Sequence, residues 1–538
     1  MEGKITGIAG PTVTLAMPGL KMYDRVLAGA ARLFGEVIRL GPEGAVAQVY
    51  ESTRGMGVGE PAISLGKPLT VRLGPGLLGA IYDGLQRPLP EVAAATGPFI
   101  LPGSQWPALA EERVWAFVPL KQPGDKVAVG EPYGAIEEDG TRHFLFADQA
   151  GTVAAMASGS ITLAQPLAEL VGGGTLTAAQ EWPIRIPRPW RRKFAPTTPL
   201  ITGQRVIDFL FPLARGGTAM LPGGFGTGKT VLEQAIAKFA EVDIVVYVGC
   251  GERGNEMADM LEEFATLTDP WTGRTLMRRT IMVANTSNMP VAAREASIYT
   301  AVTMAEYYRD MGCHVLLLAD SISRWAEALR EISSALEEMP GEEGYPTYLA
   351  SRLASFFARA GMVETMSGKI GSLSMILSVS PPGGDLTEPT TQACLRAAGA
   401  FLMLDTGLAH RRHFPAINWF QSYSLYDQEM TAYFGKEVDP AWAGLKRQTH
   451  TLLQREEKLR EVAEIVGAEG LQDADHLVMH TAARLRQEFL RQNTFDSDAF
   501  STPKLTLEKA ARLLDQHTAA EARLARGDFL TDILREMA

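Results

Sequence analysis

A glycine-rich stretch at residues 223–230 constrains the fold of this chain more than any other sequence feature. It reads Gly-Gly-Phe-Gly-Thr-Gly-Lys-Thr and matches the pattern G-x4-G-K-S/T. An apolar run at 218–221 precedes it and a helical pattern at 231–240 follows, which is the strand–loop–helix setting that the motif requires. Backbone N–H groups of such a loop surround phosphate oxygens at the positive end of a helix. The stretch therefore predicts a phosphate-binding loop, and the alternative is a glycine-rich turn with an incidental lysine.

Composition narrows the classes of protein to which the chain can belong. Its 538 residues predict three or four domains, and 62 acidic against 51 basic side chains give a net charge of −11. This balance argues against a nucleic-acid surface, and we interpret the basic cluster at 188–193 as a linker among prolines rather than a nucleic-acid patch. Three widely spaced cysteines predict neither a disulfide framework nor a thiolate zinc site. We expect no signal peptide and no membrane span.

The hydrophobic pattern changes along the chain and divides it into five segments. Short strands with frequent turns predict a small β-barrel at 1–70, a connecting segment follows at 71–109, and a β-rich block at 110–185 resembles a barrel-sandwich fold. Residues 186–435 alternate apolar strands with amphipathic helices, which predicts a mostly parallel α/β sheet. Residues 436–538 have helical spacing. The predicted α/β strands are 218–221, 244–248, 280–284, 315–319, 375–379 and 401–404, and the clearest helices are 231–240 and 291–310.

Charged side chains follow two of these predicted strands. Asp320 comes directly after the buried run 315–319, and there it should face a cation or water because an unpaired buried charge is costly. The same aspartate could also cap the next helix. Glu252 and Arg253 follow the run 244–248, where Glu252 is the candidate to polarise an attacking water and Arg253 to balance phosphate charge. Taken alone, this pair could also be a surface ion pair.

Longer stretches around these residues resemble a known family. With the phosphate loop, Gly-Glu-Arg and the strand-end aspartate in this order, the chain resembles the head subunits of rotary ATPases. It is most similar to the catalytic A subunit of V-type and archaeal-type (A-type) enzymes. The resemblance covers essentially the whole chain and is carried by residues 79–88, 247–256, 284–299, 320–332, 380–385 and 415–424, the last of which fits the ATP synthase α/β signature. The block at 110–185 matches the non-homologous, or bulge, region of A subunits. Its presence argues against flagellar or secretion ATPases and against an F-type β subunit.

The resemblance implies a RecA-like domain at 186–435 with a site for ATP or ADP and Mg²⁺. Lys229 would contact phosphate, Thr230 and Asp320 would hold Mg²⁺, and Glu256 would act on the metal through water. Glu252 would be the catalytic carboxylate, with Arg253 and Arg324 as cations on the phosphate side. Phe414 would pack on the adenine, and Phe495 is a second candidate, for which a place in the helical core is the alternative. The nucleotide-binding loop would comprise Gly223, Gly224, Phe225, Gly226, Thr227, Gly228, Lys229, Thr230 and Val231.

The resemblance also implies partners. The site would lie at the interface with a B subunit, whose arginine finger completes it in trans within an alternating A3B3 hexamer. Central-stalk and peripheral-stalk subunits would connect the chain to a membrane sector, so that it works peripherally at the cytoplasmic face. ATP hydrolysis or synthesis would be coupled to rotation and to H⁺ or Na⁺ transport, with no nucleic acid bound. We expect the chain to stop before a further helical stretch that many bacterial and archaeal relatives carry.

Two other classes of protein compete with this interpretation. A non-catalytic nucleotide-binding subunit of the same ring would lack either the phosphate loop or Glu252, and both are present. A hexameric P-loop translocase acting on nucleic acid or protein is opposed by the acidic balance and by the block at 110–185.

Overall fold

The computed structural model describes residues 1–41, 44–138, 140–493 and 498–537. These residues form two units, each assembled from separate stretches of chain. The first unit contains Met1–Ala195, Val242–Val379 and Asp385–Ala397, and the second contains Pro196–Glu241, Ser380–Gly384 and Ala398–Ala538. No helix among the described residues combines the length and apolar character needed to cross a membrane.

The first unit begins with a closed antiparallel barrel of six strands. Alternate apolar residues such as Val13, Leu15 and Val37 point inward and form its core, because successive side chains of a strand point to opposite faces. Since the barrel is closed, each of the six strands pairs with a neighbour on both sides. The predicted small β-barrel is therefore confirmed. In spatial order, its strands are Glu2–Ala9, Thr12–Ala16, Gly44–Val49, Leu33–Gly41, Asp24–Ala28 and Pro61–Pro68.

Two four-stranded antiparallel sheets follow and form the predicted barrel-sandwich block. Their buried side chains include Phe117, Tyr133 and Val153. Strands Thr70–Leu73 and Gln180–Pro183 pair with each other at the two ends of this block. The first sheet contains Lys126–Val127, Gly151–Met156, Pro166–Leu170 and Thr175–Thr177, and the second contains Thr141–Phe146, Pro132–Glu138, Trp115–Pro119 and Gly159–Ile161.

Parallel strands flanked by helices complete the first unit, as the alternating pattern predicts. These strands are apolar along almost their whole length, which is typical of a parallel sheet covered on both faces. The predicted helix at 291–310 has the expected bounds, and the predicted strands extend one to five residues further. In spatial order, the parallel strands are Ile370–Val379, His314–Asp320, Ile244–Cys250, Thr280–Asn285 and Ile81–Tyr82. Gly361–Glu364 and Arg192–Phe194 continue the sheet antiparallel beyond Ile370–Val379. The helices are Leu89–Thr96, Gly254–Thr266, Val291–Asp310, Ile322–Ala335, Leu349–Phe357 and Pro389–Ala397, with 3-10 turns Leu276–Arg279 and Glu342–Gly344.

The second unit joins a small sheet to a helical C-terminal region. Strand Thr218–Pro222 pairs in parallel with Ala400–Phe401, which pairs antiparallel with Tyr423–Ser424. The predicted strand 401–404 is thus shorter, and Leu404 makes two isolated bridges, one with Gly223 and one with Ile417. A separate ladder joins Pro199–Leu200 and Leu213–Ala214. The α-helices are Lys229–Phe239, Thr406–His410, Asp427–Glu437, Trp442–Val466, Asp473–Arg484, Pro503–Ala525 and Leu530–Met537. Val206–Leu210 and Leu485–Leu490 form π-helical turns, and Pro382–Gly384 and Ala468–Gly470 form 3-10 turns.

Only the first residue of the basic cluster at 188–193 is buried in the first unit, and residues 189–193 are exposed. The interpretation of this cluster as a linker stays a prediction. Arg188 is buried, and its Nε donates to Oδ2 of Asp310 at 2.6 Å while its backbone N–H donates to Oε2 of Glu306 at 3.0 Å. Glu306 also accepts from Nε of Arg359 at 3.0 Å. The acidic partners lie more than 100 residues away in sequence, so local composition could not reveal them.

We predict that Glu306→Gln destabilises the first unit strongly. The change leaves the buried guanidinium of Arg359 without its counter-charge, and breaking a buried pair typically costs about 3–5 kcal/mol. Hydrogen exchange of the amides in helix Val291–Asp310 should report a loss of protection of that size.

The matched control is Lys67→Gln, which removes an exposed ion pair with Glu181 in the same unit. Its cost should stay below about 1 kcal/mol. Equal protection in Glu306→Gln and the wild type would contradict a stabilising role for this buried cluster.

Candidate nucleotide site

The phosphate loop lies where the sequence predicts, between strand Thr218–Pro222 and helix Lys229–Phe239 of the second unit. Gly226 and Gly228 have φ values of 77° and 83°, in the left-handed region that side chains rarely adopt. Gly228 is the residue from which the helix starts. The first N–H groups of a helix have no partner within it, so the loop presents donors suited to an anion.

Hydrogen bonds within the second unit fix the shape of this loop. Oγ1 of Thr227 donates to the carbonyl of Gly224 at 2.8 Å. Nζ of Lys229 donates to the carbonyl of Gly223 at 2.8 Å and also to Oγ of Ser380. The ammonium group of Lys229 therefore lies over the loop. A phosphate oxygen could replace the carbonyl of Gly223 or Oγ of Ser380 as its hydrogen-bond acceptor. Sequence reasoning missed the contact of Ser380 with Lys229, although this serine opens the stretch 380–385.

The other predicted residues of the loop and first turn are at least partly accessible. Phe225 is exposed at the tip of the loop, Val231 is exposed, and Thr230 is half-buried. Thr230 stands in the first turn of the helix, directly after Lys229. A hydroxyl in this position is suited to ligate a metal ion that accompanies the phosphates.

Phe414 lies beside the phosphate loop. A Cβ atom placed on Gly228 would lie 3.2 Å from Cε1 of Phe414, so a side chain at position 228 would press on the phenyl ring. Phe414 is 39% exposed, which leaves part of its surface available for stacking. The structure therefore brings together the predicted phosphate loop and the predicted adenine contact. The second predicted adenine contact, Phe495, lies outside the described residues.

Polar side chains of the stretch 415–424 hold the chain that follows Phe414. Nδ2 of Asn418 donates to Oδ2 of Asp405 at 2.8 Å, and Asp405 caps helix Thr406–His410 by accepting from the N–H of Gly407 at 2.6 Å. Oγ of Ser424 donates to the carbonyl of Pro212 at 2.6 Å. The signature residues therefore act here as structural contacts.

The remaining predicted residues lie in the first unit, at the carboxyl ends of neighbouring parallel strands or in the first turns of the helices that follow. Asp320 ends strand His314–Asp320 and pairs in register with Gly249 of strand Ile244–Cys250. Glu252 follows that second strand two residues later. Asp320 is buried and its Oδ1 accepts a 2.5 Å hydrogen bond from Oγ of Ser378. Sequence reasoning missed Ser378, which fixes one oxygen of the predicted metal-binding carboxylate.

Three other charged residues of the predicted site are accessible. They are Arg253 and Glu256, which follow Glu252, and Arg324, which lies near it. Nη1 of Arg253 lies 3.6 Å from Oε1 of Glu256, and Nη1 of Arg324 lies 2.9 Å from Oε2 of Glu327. The hydrogen bond with Glu327 raises the pKa of Arg324, and the charge of Glu252 adds to this shift. Exposed ion pairs are worth about 0–1 kcal/mol, so the pair with Glu327 holds Arg324 only weakly.

The donors predicted for Mg²⁺ fit that ion. Among the residues that the structure describes, no three or more His, Cys, Asp or Glu side chains are arranged to bind a metal by themselves. The predicted donors are instead the hydroxyl of Thr230 and the carboxylate of Asp320. Mg²⁺ binds hydroxyl and carboxylate oxygens and completes its shell with water and substrate phosphates, so the chemistry of each donor suits it.

We predict a pH-dependent loss of stability from His413, which precedes Phe414. Burial, together with Arg486, Arg491 and Arg411, lowers the pKa of His413 to about 4. An unfolded histidine binds a proton near a pH of about 6.5, so the unfolded state gains the proton first. Stability is therefore complete above a pH of about 6.5 and falls as the pH drops toward about 4, by at most about 3 kcal/mol.

The measurement is the free energy of unfolding of the second unit, from hydrogen exchange between about pH 4 and pH 7, in the wild type and in His413→Gln. The difference between the two curves isolates this histidine from the carboxylates that titrate in the same range. A difference independent of pH would contradict the shifted pKa.

Sequence-family models match four consecutive parts of the chain. The β-barrel domain of the ATP synthase alpha/beta family matches residues 5–66, and the barrel-sandwich domain of the ATP synthase alpha/beta subunit matches 106–185. The nucleotide-binding domain of the ATP synthase alpha/beta family matches 203–424, and the C-terminal domain of V and A type ATP synthase matches 431–528.

Curated relatives and a solved structure agree with these matches. The V-type ATP synthase alpha chain of Anaeromyxobacter dehalogenans (strain 2CP-C) is 51% identical, over 99% of this chain and 93% of its own length. The A subunit of the A-type ATP synthase of Methanosarcina barkeri is 48% identical over the same shares. The assembled ATPase EscN of the enteropathogenic E. coli type III secretion system has a TM-score of 0.70 at 22% identity, covering 95% of this chain and all of that one, which shows a shared fold. The chain therefore belongs to the ATP synthase alpha/beta family, among the alpha chains and A subunits of V-type and A-type ATP synthases.

Proposed function

We propose that this chain is the catalytic subunit of a V/A-type rotary ATP synthase and ATPase, coupling ATP turnover to rotation and to transport of H⁺ or Na⁺ across a membrane. The observation that carries the proposal is the combination of an intact phosphate loop, with Lys229 folded over it, and a neighbouring aromatic ring at Phe414. Together they supply contacts for both ends of an adenine nucleotide. Identity of 51% and 48% to V-type and A-type relatives over nearly their full length supports the same assignment.

In the proposed reaction, a water oxygen attacks the γ-phosphorus in line with the bond to the bridging oxygen of ADP, and that bond breaks. Glu252 accepts a hydrogen bond from the attacking water and orients it. Lys229 stabilises the negative charge on the transferred phosphoryl group, with Arg253 and Arg324 adding positive charge. Synthesis follows the same path in reverse.

Binding of the nucleotide involves the other predicted residues. Thr230 and Asp320 would hold Mg²⁺, with Glu256 acting through a water, and Ser378 would keep the carboxylate of Asp320 oriented. When bound, Mg²⁺ would neutralise charge on the β- and γ-phosphates. Phe414 would stack on the adenine, and Phe495 is proposed as a second adenine contact.

The chain is part of a larger complex in this proposal. B subunits would alternate with it in an A3B3 hexamer and supply an arginine finger, a contribution typically worth about 10³ to 10⁵ in rate. Central-stalk and peripheral-stalk subunits would connect the hexamer to the membrane sector. The chain without its partners should therefore hydrolyse ATP very slowly.

We predict that Glu252→Gln retains nucleotide binding and loses turnover. A positioned general base typically contributes about 10²- to 10⁴-fold to a rate, so the ATPase rate of the complex reassembled with partner subunits should fall by at least about 100-fold. ATP affinity should change little, because the amide keeps the shape of the side chain. Steady-state ATPase assays and equilibrium ATP binding on the same preparations measure the two quantities.

The matched control is Glu262→Gln, an exposed carboxylate on helix Gly254–Thr266, which begins two residues after Glu252. It should leave both rate and affinity unchanged. Turnover near the wild-type rate in Glu252→Gln would remove Glu252 from the mechanism, and tight ATP binding without turnover in the wild-type complex would favour a non-catalytic nucleotide-binding subunit.

A further inference from the structure

A buried arginine near the start of the second unit contacts the C-terminal region on both sides of residues 494–497. Only 1% of Arg205 is exposed. Its Nε donates to the carbonyl of Phe489 at 2.6 Å, and Nη2 donates to the carbonyl of Arg491 at 2.8 Å. Nη1 and Nη2 also donate to the two carboxylate oxygens of Asp498, each at 2.6 Å. One guanidinium therefore fixes the distance between Arg491 and Asp498.

Gln492 extends these contacts to the aromatic residue of the nucleotide site. Its side chain is buried, with Nε2 donating to the carbonyl of Gly203 at 2.8 Å and Oε1 accepting from the backbone N–H of Arg205 at 2.8 Å. Its own backbone N–H donates to the carbonyl of Phe414 at 2.8 Å. The buried residue Gln492 thus joins its own segment to residues 203–205 and to Phe414, which are far away in sequence.

The hydrogen bonds of Gln492 reach the backbone of Phe414. The ring is partly exposed and packs on Gly228, where the phosphate loop enters its helix. Its backbone carbonyl is held by Gln492, whose side chain is held in turn by Arg205 and Gly203. Buried polar groups of this kind are costly unless all their partners are in place. A shift of the Phe414 backbone, which sets the direction of the ring, would therefore require breaking hydrogen bonds made by the buried Gln492.

We propose that Arg205, Gln492 and Asp498 are positioning residues that hold Phe414 at the angle needed to stack on a purine base. The inference rests on the proposed function, in which Phe414 contacts adenine. The three residues make no contact with phosphate in this account, so they determine affinity for the base and not for the triphosphate.

The test compares two ligands, Mg-ATP and Mg-tripolyphosphate, by calorimetric titration of the full chain. Gln492→Met keeps the length of the side chain and removes both of its hydrogen bonds. Base stacking on an aromatic side chain is worth enough to change affinity roughly tenfold. Gln492→Met should therefore bind ATP roughly tenfold more weakly and bind tripolyphosphate as the wild type does.

A double-mutant cycle separates positioning from a general structural role. Phe414→Ala should lower ATP affinity, and adding Gln492→Met to it should produce no further loss, because coupled residues are not additive. Additive losses, equal losses for both ligands, or unchanged ATP affinity in Gln492→Met would each overturn the proposal.

Two further variants keep the test decisive if Gln492→Met folds poorly. Asp498→Asn weakens the charged half of the contact with Arg205 without changing its shape, and should weaken ATP binding severalfold. Lys509→Gln is the control, because Lys509 contacts Asp498 at 3.3 Å and is not a partner of Arg205 or Gln492 in the hydrogen bonds described above. It should leave ATP affinity unchanged, and a loss equal to that of Asp498→Asn would contradict a specific role for the Arg205 contact.

The same titrations distinguish failure of the proposed function from failure of this inference. Wild-type chain that binds ATP no more tightly than tripolyphosphate would contradict the base contact at Phe414 itself. Wild-type preference for ATP that survives in Gln492→Met and Asp498→Asn would contradict only the positioning role.

Discussion

The backbone N–H groups at the start of helix Lys229–Phe239 are the constraint on which the site depends. A helix cannot satisfy its first N–H groups internally, and the left-handed conformations of Gly226 and Gly228 direct the preceding loop around them. The absence of a side chain at Gly228 also allows Phe414 to approach. The phosphate donors and the aromatic ring are therefore consequences of one local geometry, and both would be lost if position 228 carried a larger residue.

The residues proposed for catalysis lie in the first unit and have a different setting. Its parallel strands end at one edge of a sheet, so Asp320 and the segment that carries Glu252 emerge next to each other there. Asp320 is buried and held by Ser378, as expected for a carboxylate that must keep one orientation, whereas Arg253 and Arg324 are in weak exposed pairs. This difference in burial fits the roles proposed above, in which Asp320 is a metal ligand and the arginines balance phosphate charge.

Sequence predicts those parts of this site that depend on local pattern. The phosphate loop is recognisable because glycine spacing, strand and helix are contiguous, and Asp320 because an acid follows an apolar run. The contacts of Arg205, Gln492, Ser378 and Ser380 give no such signal, since their partners lie far away in sequence and only folding brings them together. The burial of Arg188 gives no sequence signal for the same reason, because the acids that neutralise it are on a distant helix. The five-segment division and the roles of the individual site residues stay predictions.

We propose that the second unit binds both the phosphates and the base of one nucleotide. The most direct measurement is photolabelling of the full chain with 2-azido-ATP, which forms a covalent bond from the base, followed by peptide mapping. We expect label on the peptide that contains Phe414, and loss of that label in excess ATP. Label confined to residues 242–379 of the first unit, or unaffected by ATP, would contradict it.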